Sequence, residues 1–589
     1  MLARLMFDSL RRHPWAVGTL ILFQVVQTAG TLLLPAINAD VVDRGIVEGD
    51  LALISQRGAV MLWIAAGQVV AALAAGWIGS QVAAKVASRL RSGLFSALQG
   101  LSPQQTAALG PASLVTRSTT DVQQLQGFTL LLLTMMGAAP LIGVGGLVMA
   151  LVQDVALSIV MVVVVPVLGL IMVLIVRRLV PLYRAGQDLL DANSRVLGEQ
   201  VSGAAVIRSF GRQHSERMRY GLINAQLTKN NLSSALLIAA MLPLLMLVVN
   251  LSTVVVVWCG GQRIASGDLN IGSLIAFIAY LLQILLAIMM LMYVLSAAPR
   301  AAACAERISE VRSRAAEQRL RNTHHGKGGT ACWDASAGSG APGLSLDFHD
   351  VGFAFAGAQH PVLGGLTFSV PAGSTTAVVG STGSGKSTLL RLLPRLLELT
   401  EGKMSLGGCD ITGLDTATLR TAMSLVPQQA FLFAGTIASN LRMAAPDATD
   451  CELWSALEAA QADSFVRDLP MGLLAPVDPG GANFSGGQRQ RLCIARAILR
   501  RCPLYLFDDS FSALDAVTER AVQGALRDRL RGATVLMVSE RLAGVRHADW
   551  VLVLDGGHLV GQGTHASLAR DSAVYREIAS SQLAFTDAP

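Results

Sequence analysis

Six long stretches of the chain contain no Lys, Arg, Asp or Glu, and they constrain its fold more than any other feature. They cover approximately residues 14–37, 58–82, 127–153, 155–176, 234–259 and 272–297. An uncharged run of about 20 residues can cross a bilayer as a helix, because a helix satisfies its own backbone polar groups in lipid. The sequence therefore predicts six transmembrane helices, an even number that places both chain ends on one side of the membrane.

Basic residues beside these stretches indicate which side is cytoplasmic. They are Arg11 and Arg12 before the first stretch, Lys85, Arg89 and Arg91 after the second, and Arg177 and Arg178 after the fourth. Lys and Arg near membrane helices favour the cytoplasmic side. We therefore expect a multi-pass protein of a bacterial plasma membrane, with cytoplasmic N- and C-termini.

The two cytoplasmic connections, about residues 83–126 and 177–233, are long and polar and contain few helix-breaking clusters. We predict that the membrane helices continue through them into the cytoplasm. The chain should bend back at the tip of each extension, around residues 110–121 and 203–213.

The sequence beyond about residue 312 has a different character. Residues 312–343 are first rich in Arg and then in small residues, which is typical of a linker. Short apolar runs then alternate with helical patterns, as in an α/β domain. We therefore predict a transmembrane domain over residues 1–311, a linker over 312–343 and a cytoplasmic α/β domain over 344–589.

A nucleic-acid partner is not expected, although the net charge is +6. The basic residues are scattered and form no stripe interleaved with aromatic residues. Such scattered charge is instead the cytoplasmic excess of a membrane protein.

A glycine-rich loop follows a predicted buried strand over residues 375–379. Its residues are Gly380, Ser381, Thr382, Gly383, Ser384, Gly385, Lys386, Ser387 and Thr388, after which an apolar helix begins. Glycines in this pattern let backbone N–H groups close around phosphates at a helix N-terminus. Lys386 can reach the β- and γ-phosphate oxygens and Ser387 can bind Mg²⁺, so the motif predicts a phosphate-binding loop.

A second acidic motif follows the hydrophobic strand predicted over residues 504–507. Asp508 can hold Mg²⁺ through water, and its neighbour Asp509 can orient the attacking water for in-line phosphoryl transfer. The pair by itself is weak evidence for a nucleotide-hydrolysing site, and the motif that precedes it in the sequence strengthens the assignment.

That motif, at residues 483–490, reads Asn-Phe-Ser-Gly-Gly-Gln-Arg-Gln. Here the chain resembles the ATP-binding cassette (ABC) transporter family, whose signature is Leu-Ser-Gly-Gly-Gln, and the resemblance covers nearly the whole chain. It implies an all-α six-helix transmembrane domain joined to a cytoplasmic α/β ABC nucleotide-binding domain, with ATP and Mg²⁺ as cofactors. The long cytoplasmic helices fit the type IV exporter branch, whose two coupling segments would be residues 117–121 and 206–211.

The resemblance also implies roles for individual residues. Phe355 would stack on adenine, Gln428 would act at the catalytic site and on Mg²⁺, and Asp515 would be the acid of the D-loop. Such cassettes work as head-to-tail dimers. The signature residues that would face ATP on the other subunit are Ser485, Gly486, Gly487 and Gln488.

Two positions beside the phosphate loop depart from the family pattern. The family's water-orienting glutamate is Asp509 here, which displaces the carboxylate by roughly 1 Å and can cost about a hundredfold in rate. The family's switch histidine is Glu540 here, and a carboxylate repels a phosphate to which an imidazole can donate a hydrogen bond. We therefore expect this chain's own site to bind ATP but to hydrolyse it slowly.

The signature itself is intact apart from Phe484 in place of Leu, whereas residues 478–480 replace the family's usual Gly-Glu-Arg. The simplest hypothesis is a heterodimer, in which a second ABC half-transporter supplies its own glutamate and histidine. This chain would then be the degenerate-site subunit.

The absence of charged residues in the six stretches argues against ion coupling and leaves ATP as the energy source. We interpret most interior polar residues as helix-to-helix hydrogen bonds; they are Gln24, Gln27, Gln68, Asn250, Ser252, Thr253 and Gln283. We favour export of a hydrophobic or amphiphilic compound, either a drug-like molecule or a lipid. Import by an exporter-shaped protein, a non-catalytic regulatory subunit and an ATP-gated pore are the alternatives.

Overall fold

The computed structural model describes residues 2–325, 343–355 and 357–586. The chain divides into two compact units. The membrane unit contains Met1–Gln99 and Leu109–Arg314, and the α/β unit contains Gly100–Ala108 and Ala315–Pro589. The predicted linker begins inside a helix that continues to His325, and residues 326–342 of that linker lie outside the described ranges.

Helices make up the first part of the chain. They are α1 Leu2–Leu10, α2 Pro14–Asp40, α3 Leu51–Gln99, α4 Pro103–Leu109, α5 Pro111–Thr116, α6 Val122–Leu131, α7 Ala138–Gln153, α8 Val155–Ser202, α9 Ala204–Ser209, α10 Gln213–Ala265 and α11 Ile271–His325. Three π-helical turns adjoin them, at Val41–Ile46, Arg117–Asp121 and Leu132–Met136.

Six helical segments in the described chain are long and apolar enough to cross a membrane. They are Pro14–Ile46, Leu51–Gln99, Pro111–Gln153, Val155–Ser202, Gln213–Ala265 and Ile271–Gln318. The prediction of six membrane helices followed by an α/β domain is therefore confirmed. Helices α3, α8 and α10 have 49, 48 and 53 residues, far more than the roughly 20 that a bilayer requires.

The second predicted bend lies where the sequence places it, because α8 ends at Ser202 and α10 begins at Gln213 with only the short helix α9 between them. The first bend lies before most of its predicted range and shares only Gly110 with it. Helix α3 ends at Gln99, and the reversal occupies the short helix α4 and Gly110, whose φ is +76°.

Residues 117–121 are not a coupling tip, contrary to the assignment from family resemblance. They form a π-helical turn in the membrane unit, where Arg307 donates to both carboxylate oxygens of Asp121 at 2.8 and 2.7 Å. Arg117 donates to Glu310 at 2.8 Å, and both Glu310 and Arg307 belong to helix α11. These ion pairs explain the polar residues there, and Gly100–Ala108 instead groups with the α/β unit.

Polar side chains in the membrane unit connect helices, as the sequence suggests. Gln24 donates to two backbone carbonyls in the π-helical turn Leu132–Met136, at 2.6 and 3.1 Å. Gln68 and Gln283 both bond to Thr31, at 3.1 and 2.8 Å. The two predicted hydroxyl residues of α10 donate instead to carbonyls of their own helix.

The α/β unit contains the described strands of the chain. They are β1 Leu346–Phe353, β2 Leu363–Val370, β3 Thr375–Gly380, β4 Glu401–Leu406, β5 Cys409–Asp410, β6 Met423–Val426, β7 Gly435–Thr436, β8 Pro476–Val477, β9 Leu504–Asp508, β10 Thr534–Val538, β11 Trp550–Asp555 and β12 His558–Gly563. Its later helices are α12 Lys386–Leu392, α13 Thr416–Thr421, α14 Ile437–Arg442, α15 Asp450–Ala459, α16 Asp463–Arg467, α17 Gly486–Leu499, α18 Ala516–Arg529, α19 His565–Asp571 and α20 Ala573–Thr586.

The larger sheet determines where the functional motifs meet. Its strand order is β12-β11-β3-β10-β9-β6, and β10 pairs in parallel with both β3 and β9. Parallel strands present their carboxyl ends at the same edge of the sheet, where ligands of open α/β sheets bind. The phosphate loop, the loop at Glu540 and the Asp508–Asp509 pair therefore share one edge.

Candidate functional site

The phosphate loop forms between β3 and α12 around a buried lysine. The Lys386 ammonium donates to the backbone carbonyls of Gly380 and Ser381 at 2.9 and 2.8 Å. Gly383 and Gly385 have φ values of +87° and +93°, which L side chains rarely adopt. A Cβ at Gly385 would also clash with a methyl carbon of Leu363. The loop geometry therefore depends on glycine at these positions.

Two observations show that this loop is suited to an anion. The Ser384 hydroxyl is buried without a hydrogen-bond partner in the described structure, and an unsatisfied buried polar group costs about 1–3 kcal/mol. Burial lowers the pKa of Lys386, while the carboxylates of Glu540, Asp509 and Asp508 oppose that shift. A phosphate in the loop would stabilise the charged lysine and offer an acceptor to the serine.

The groups proposed for Mg²⁺ meet at the end of β9. The Ser387 hydroxyl donates to Asp508 Oδ1 at 2.6 Å, and the Asp508 side chain is almost completely buried. Burial raises the pKa of Asp508, and the hydrogen bond from Ser387 and the charge of Arg391 act in the opposite direction. A hydroxyl and a carboxylate in contact form a hard oxygen donor set that suits Mg²⁺.

Gln428, the third residue predicted to bind Mg²⁺, makes no contact of this kind with Ser387 or Asp508. Its side chain is exposed and makes no hydrogen bond within the described residues. The neighbouring Pro427 carbonyl accepts from Gln490 of α17 at 3.5 Å. The structure therefore places Gln428 in an exposed loop after β6.

Asp509 is hydrogen-bonded to the end of β10 and to the loop that follows it. Its φ is +45°, an uncommon value for a residue other than glycine, and its N–H donates to the Val538 carbonyl at 3.1 Å. Its carboxylate accepts a long hydrogen bond, 3.5 Å, from the Glu540 N–H. Asp509 is thus tied to the end of β10 through both backbone and side chain.

Glu540 lies against the phosphate loop. Its Oε1 is 3.8 Å from Lys386 Nζ and accepts a hydrogen bond from the Thr382 hydroxyl at 3.3 Å. The side chain is 46% exposed, so the ion pair is partly screened by solvent. The sequence predicts a repulsive carboxylate here, but it does not reveal that this carboxylate pairs with the lysine of the loop.

Sequence reasoning missed a further acid, Glu519, in the first turn of α18. It is buried, lies 3.7 Å from Arg541 and accepts from Gln523 at 3.2 Å. Burial raises the pKa of Glu519, while Arg541 opposes that shift and Asp509 adds to it. The only sequence signal is its place four residues after Asp515, in a helix that begins directly behind the D-loop.

The signature forms the exposed start of helix α17. Ser485 is the N-cap, and it exchanges hydrogen bonds with Gln488, at 2.9 and 3.3 Å, in a capping box. Nothing lies within 4 Å of a Cβ built at Gly486, whereas one at Gly487 would contact the Ala513 carbonyl. The signature is therefore a capped helix start that is accessible from outside the described chain.

Two other residues from the family pattern lie near the ends of their elements. Asp515 caps α18 by accepting from the Thr518 N–H and hydroxyl at 2.8 and 2.7 Å, and these bonds lower its pKa. Phe355 follows β1, is 45% exposed and packs edge-to-face on Phe353 with 5.0 Å between ring centroids. An exposed ring of this kind can stack on a base.

Comparisons with known proteins agree with this architecture. Residues 17–289 match the family described as ABC transporter transmembrane region, and residues 363–512 match the family described as ABC transporter. The chain is 42% identical to an uncharacterized ABC transporter ATP-binding protein of Mycobacterium tuberculosis, over 99% of this chain and 98% of that protein. It is 30% identical to an ATP-dependent lipid A-core flippase of Chromobacterium violaceum, over 86% of this chain and 84% of that protein.

Its fold is also that of a solved bacterial Atm1-family ABC exporter with ATP bound. The TM-score is 0.79 at 25% identity, and the similarity covers 98% of this chain and 99% of that one. Both units therefore have counterparts of the same kind in the same order. The chain belongs to the ABC transporter family.

Proposed function

We propose that this chain is the degenerate-site subunit of a heterodimeric ABC exporter, whose own phosphate loop holds ATP but hydrolyses it slowly. The observation that carries this proposal is the position of Glu540, whose carboxylate lies 3.8 Å from Lys386 Nζ. Where the family has an imidazole that donates to the γ-phosphate, this chain has an acceptor that competes for the same lysine.

Nucleotide binding would use the residues already in place. Lys386 and the backbone of the loop would hold the terminal phosphates, and Phe355 would stack on the adenine. Ser387 and Asp508, with Gln428 after a movement of its loop, would hold Mg²⁺, which would neutralise phosphate charge.

The slow turnover follows from Asp509 as well as from Glu540. A water-orienting carboxylate must lie within hydrogen-bond reach of the attacking water. Asp509 is one methylene shorter than glutamate, and the bond from its N–H to the Val538 carbonyl fixes its backbone. An error of about 1 Å in such a position can cost about a hundredfold in rate.

A different partner subunit explains why the signature is intact. The exposed start of α17, with Ser485 as its cap, can complete an ATP site on a second half-transporter that has its own glutamate and histidine. One competent and one slow site would then result from two unlike chains. The chain would be multi-pass in a bacterial plasma membrane, with both termini cytoplasmic.

The proposed cargo is a hydrophobic or amphiphilic molecule, either drug-like or a lipid. No Lys, Arg, Asp or Glu lies in the six predicted spans, so the membrane unit provides no ion pair for a charged solute there. Similarity to a lipid A-core flippase supports an amphiphile. The proposed direction, export, rests on the resemblance to the exporter branch of the family.

ATPase rates of the purified chain, alone and with a candidate partner, test the proposal. We expect slow hydrolysis by the chain alone and brisk hydrolysis, coupled to vesicle transport, by the pair. Brisk hydrolysis by the chain alone would contradict the asymmetric site. Hydrolysis without transport would favour a regulatory subunit, and currents across reconstituted bilayers would favour an ATP-gated pore.

A further inference from the structure

A cavity of about 220 Å³ lies in the α/β unit and includes none of the phosphate-loop or signature residues. It lies between helix α18 and the strands β3, β9 and β10. Its inner wall is apolar and is formed by Phe507, Phe511, Leu526, Leu530 and Val535. These side chains belong to the buried core, so an apolar group that enters the cavity would leave water and contact apolar surface.

The mouth of the cavity is polar and carries charges of both signs. Arg527, Arg531 and His547 line it, with Asp549 as the opposing acid. One oxygen of Asp549 already accepts the Thr375 N–H at 2.8 Å.

The two arginines at the mouth differ in their partners. Arg531 pairs with Asp528 at 2.8 Å. Arg527, on the exposed side of α18, makes no ion pair or side-chain hydrogen bond among the described residues. The charge most available to a ligand is therefore the guanidinium of Arg527, a group whose planar donors match a carboxylate.

The size of the cavity limits the ligand to roughly one ring or a short chain, since sites for drug-sized molecules usually enclose about 300–1,000 Å³. An apolar wall selects an apolar body, and an unpaired guanidinium at the mouth selects an anionic end. We propose that this cavity binds a small amphipathic monoanion, with a ring-sized apolar body and one carboxylate that faces Arg527.

Three probes with the same body test the charge preference. They are para-trifluoromethylbenzoate, para-trifluoromethylbenzyl alcohol and para-trifluoromethylbenzylamine, added to the full chain in a non-ionic detergent and observed by fluorine NMR. Spectra of detergent alone give the contribution of micelles. We expect the benzoate to bind more tightly than the alcohol by about fivefold, the size of a partly exposed ion pair, and the amine to bind least.

Variants of the chain locate the site. Arg527→Gln should remove the preference for the benzoate, and Arg527→Glu should reverse the order of benzoate and amine. Arg520→Gln, an exposed arginine on the same helix that does not line the cavity, is the matched control and should change nothing. Ala533→Leu, which fills the cavity, should abolish binding of the benzoate and the alcohol alike.

Several results would overturn the proposal. These are equal binding of the three probes, binding no stronger than in detergent alone, or the same charge preference in Arg527→Glu as in the unmodified chain. Because Arg527 is exposed, its variants keep the test valid even if the filled variant does not fold.

Discussion

Replacing Glu540 with glutamine should tighten ATP binding to this chain. The carboxylate of Glu540 lies 3.8 Å from Lys386 Nζ, the group expected to meet the terminal phosphates. In Glu540→Gln the phosphates lose a negative neighbour, and Lys386 loses the partner that competes with them. Both effects favour the nucleotide-bound state.

The size of the effect follows from the distance and the exposure. Unit charges about 4 Å apart interact by about 4 kcal/mol at an effective dielectric of about 20 and by about 1 kcal/mol in bulk water. Because the Glu540 side chain is 46% exposed, we take about 1–2 kcal/mol. That range corresponds to a Kd lower by about 5- to 30-fold.

Displacement of a fluorescent ATP analogue from the purified chain measures this Kd at several salt concentrations. The gain should shrink as salt rises, because a partly exposed charge is screened. Glu458→Gln, an exposed glutamate on α15, is the matched control and should leave the Kd unchanged. An unchanged or higher Kd in Glu540→Gln would refute the electrostatic argument.

Three further predictions concern stability. Arg307→Met should lower the free energy of unfolding by about 3 kcal/mol, because the Asp121 carboxylate, 3% exposed, would be left buried without its partner. Thermal unfolding measures this loss. The control is Arg219→Met, which removes an exposed ion pair and should lose at most about 1 kcal/mol. Gln24→Leu should cost about 1–3 kcal/mol in the same assay, since two carbonyls of a π-helical turn lose their donor, and equal stability to the unmodified chain would contradict this role. Asp508→Asn should stabilise the nucleotide-free chain at pH 7, because burial raises the pKa of Asp508 and disfavours its charged form. The stabilisation should disappear below the ordinary aspartate pKa, where Asp508 is protonated in both the folded and the unfolded state. The same variant should weaken the dependence of ATP binding on Mg²⁺, because it removes a carboxylate from the proposed metal ligands.

Features that depend on local sequence could be predicted well. The six membrane helices follow from uncharged runs, and the phosphate loop follows from glycines between a strand and a helix. The parallel pairing of β10 with β3 and β9 then brings Lys386 and Asp508 to one edge of the sheet, as the order of motifs implies.

Features that depend on distant partners could not be predicted. The polar residues 117–121 read as a loop tip because their partner, Arg307, lies 186 residues beyond Asp121. The pairing of Glu540 with Lys386 likewise joins residues that follow different strands, since Lys386 begins α12 after β3 and Glu540 follows β10. The sequence predicts a carboxylate that repels phosphate at Glu540, but it does not predict this ion pair. In both cases the residue type indicated a charged or polar role, but the partner could be identified only from the folded structure.

We propose that Asp509 and Glu540 limit turnover at this chain's own site. The most direct test is the steady-state ATPase rate of the purified chain with Asp509→Glu and Glu540→His combined. Adding Lys386→Ala to that variant shows whether the activity arises at this phosphate loop. We predict a rate at least about a hundredfold above that of the unmodified chain, abolished by Lys386→Ala. An unchanged rate in a double variant that still binds ATP would contradict the claim.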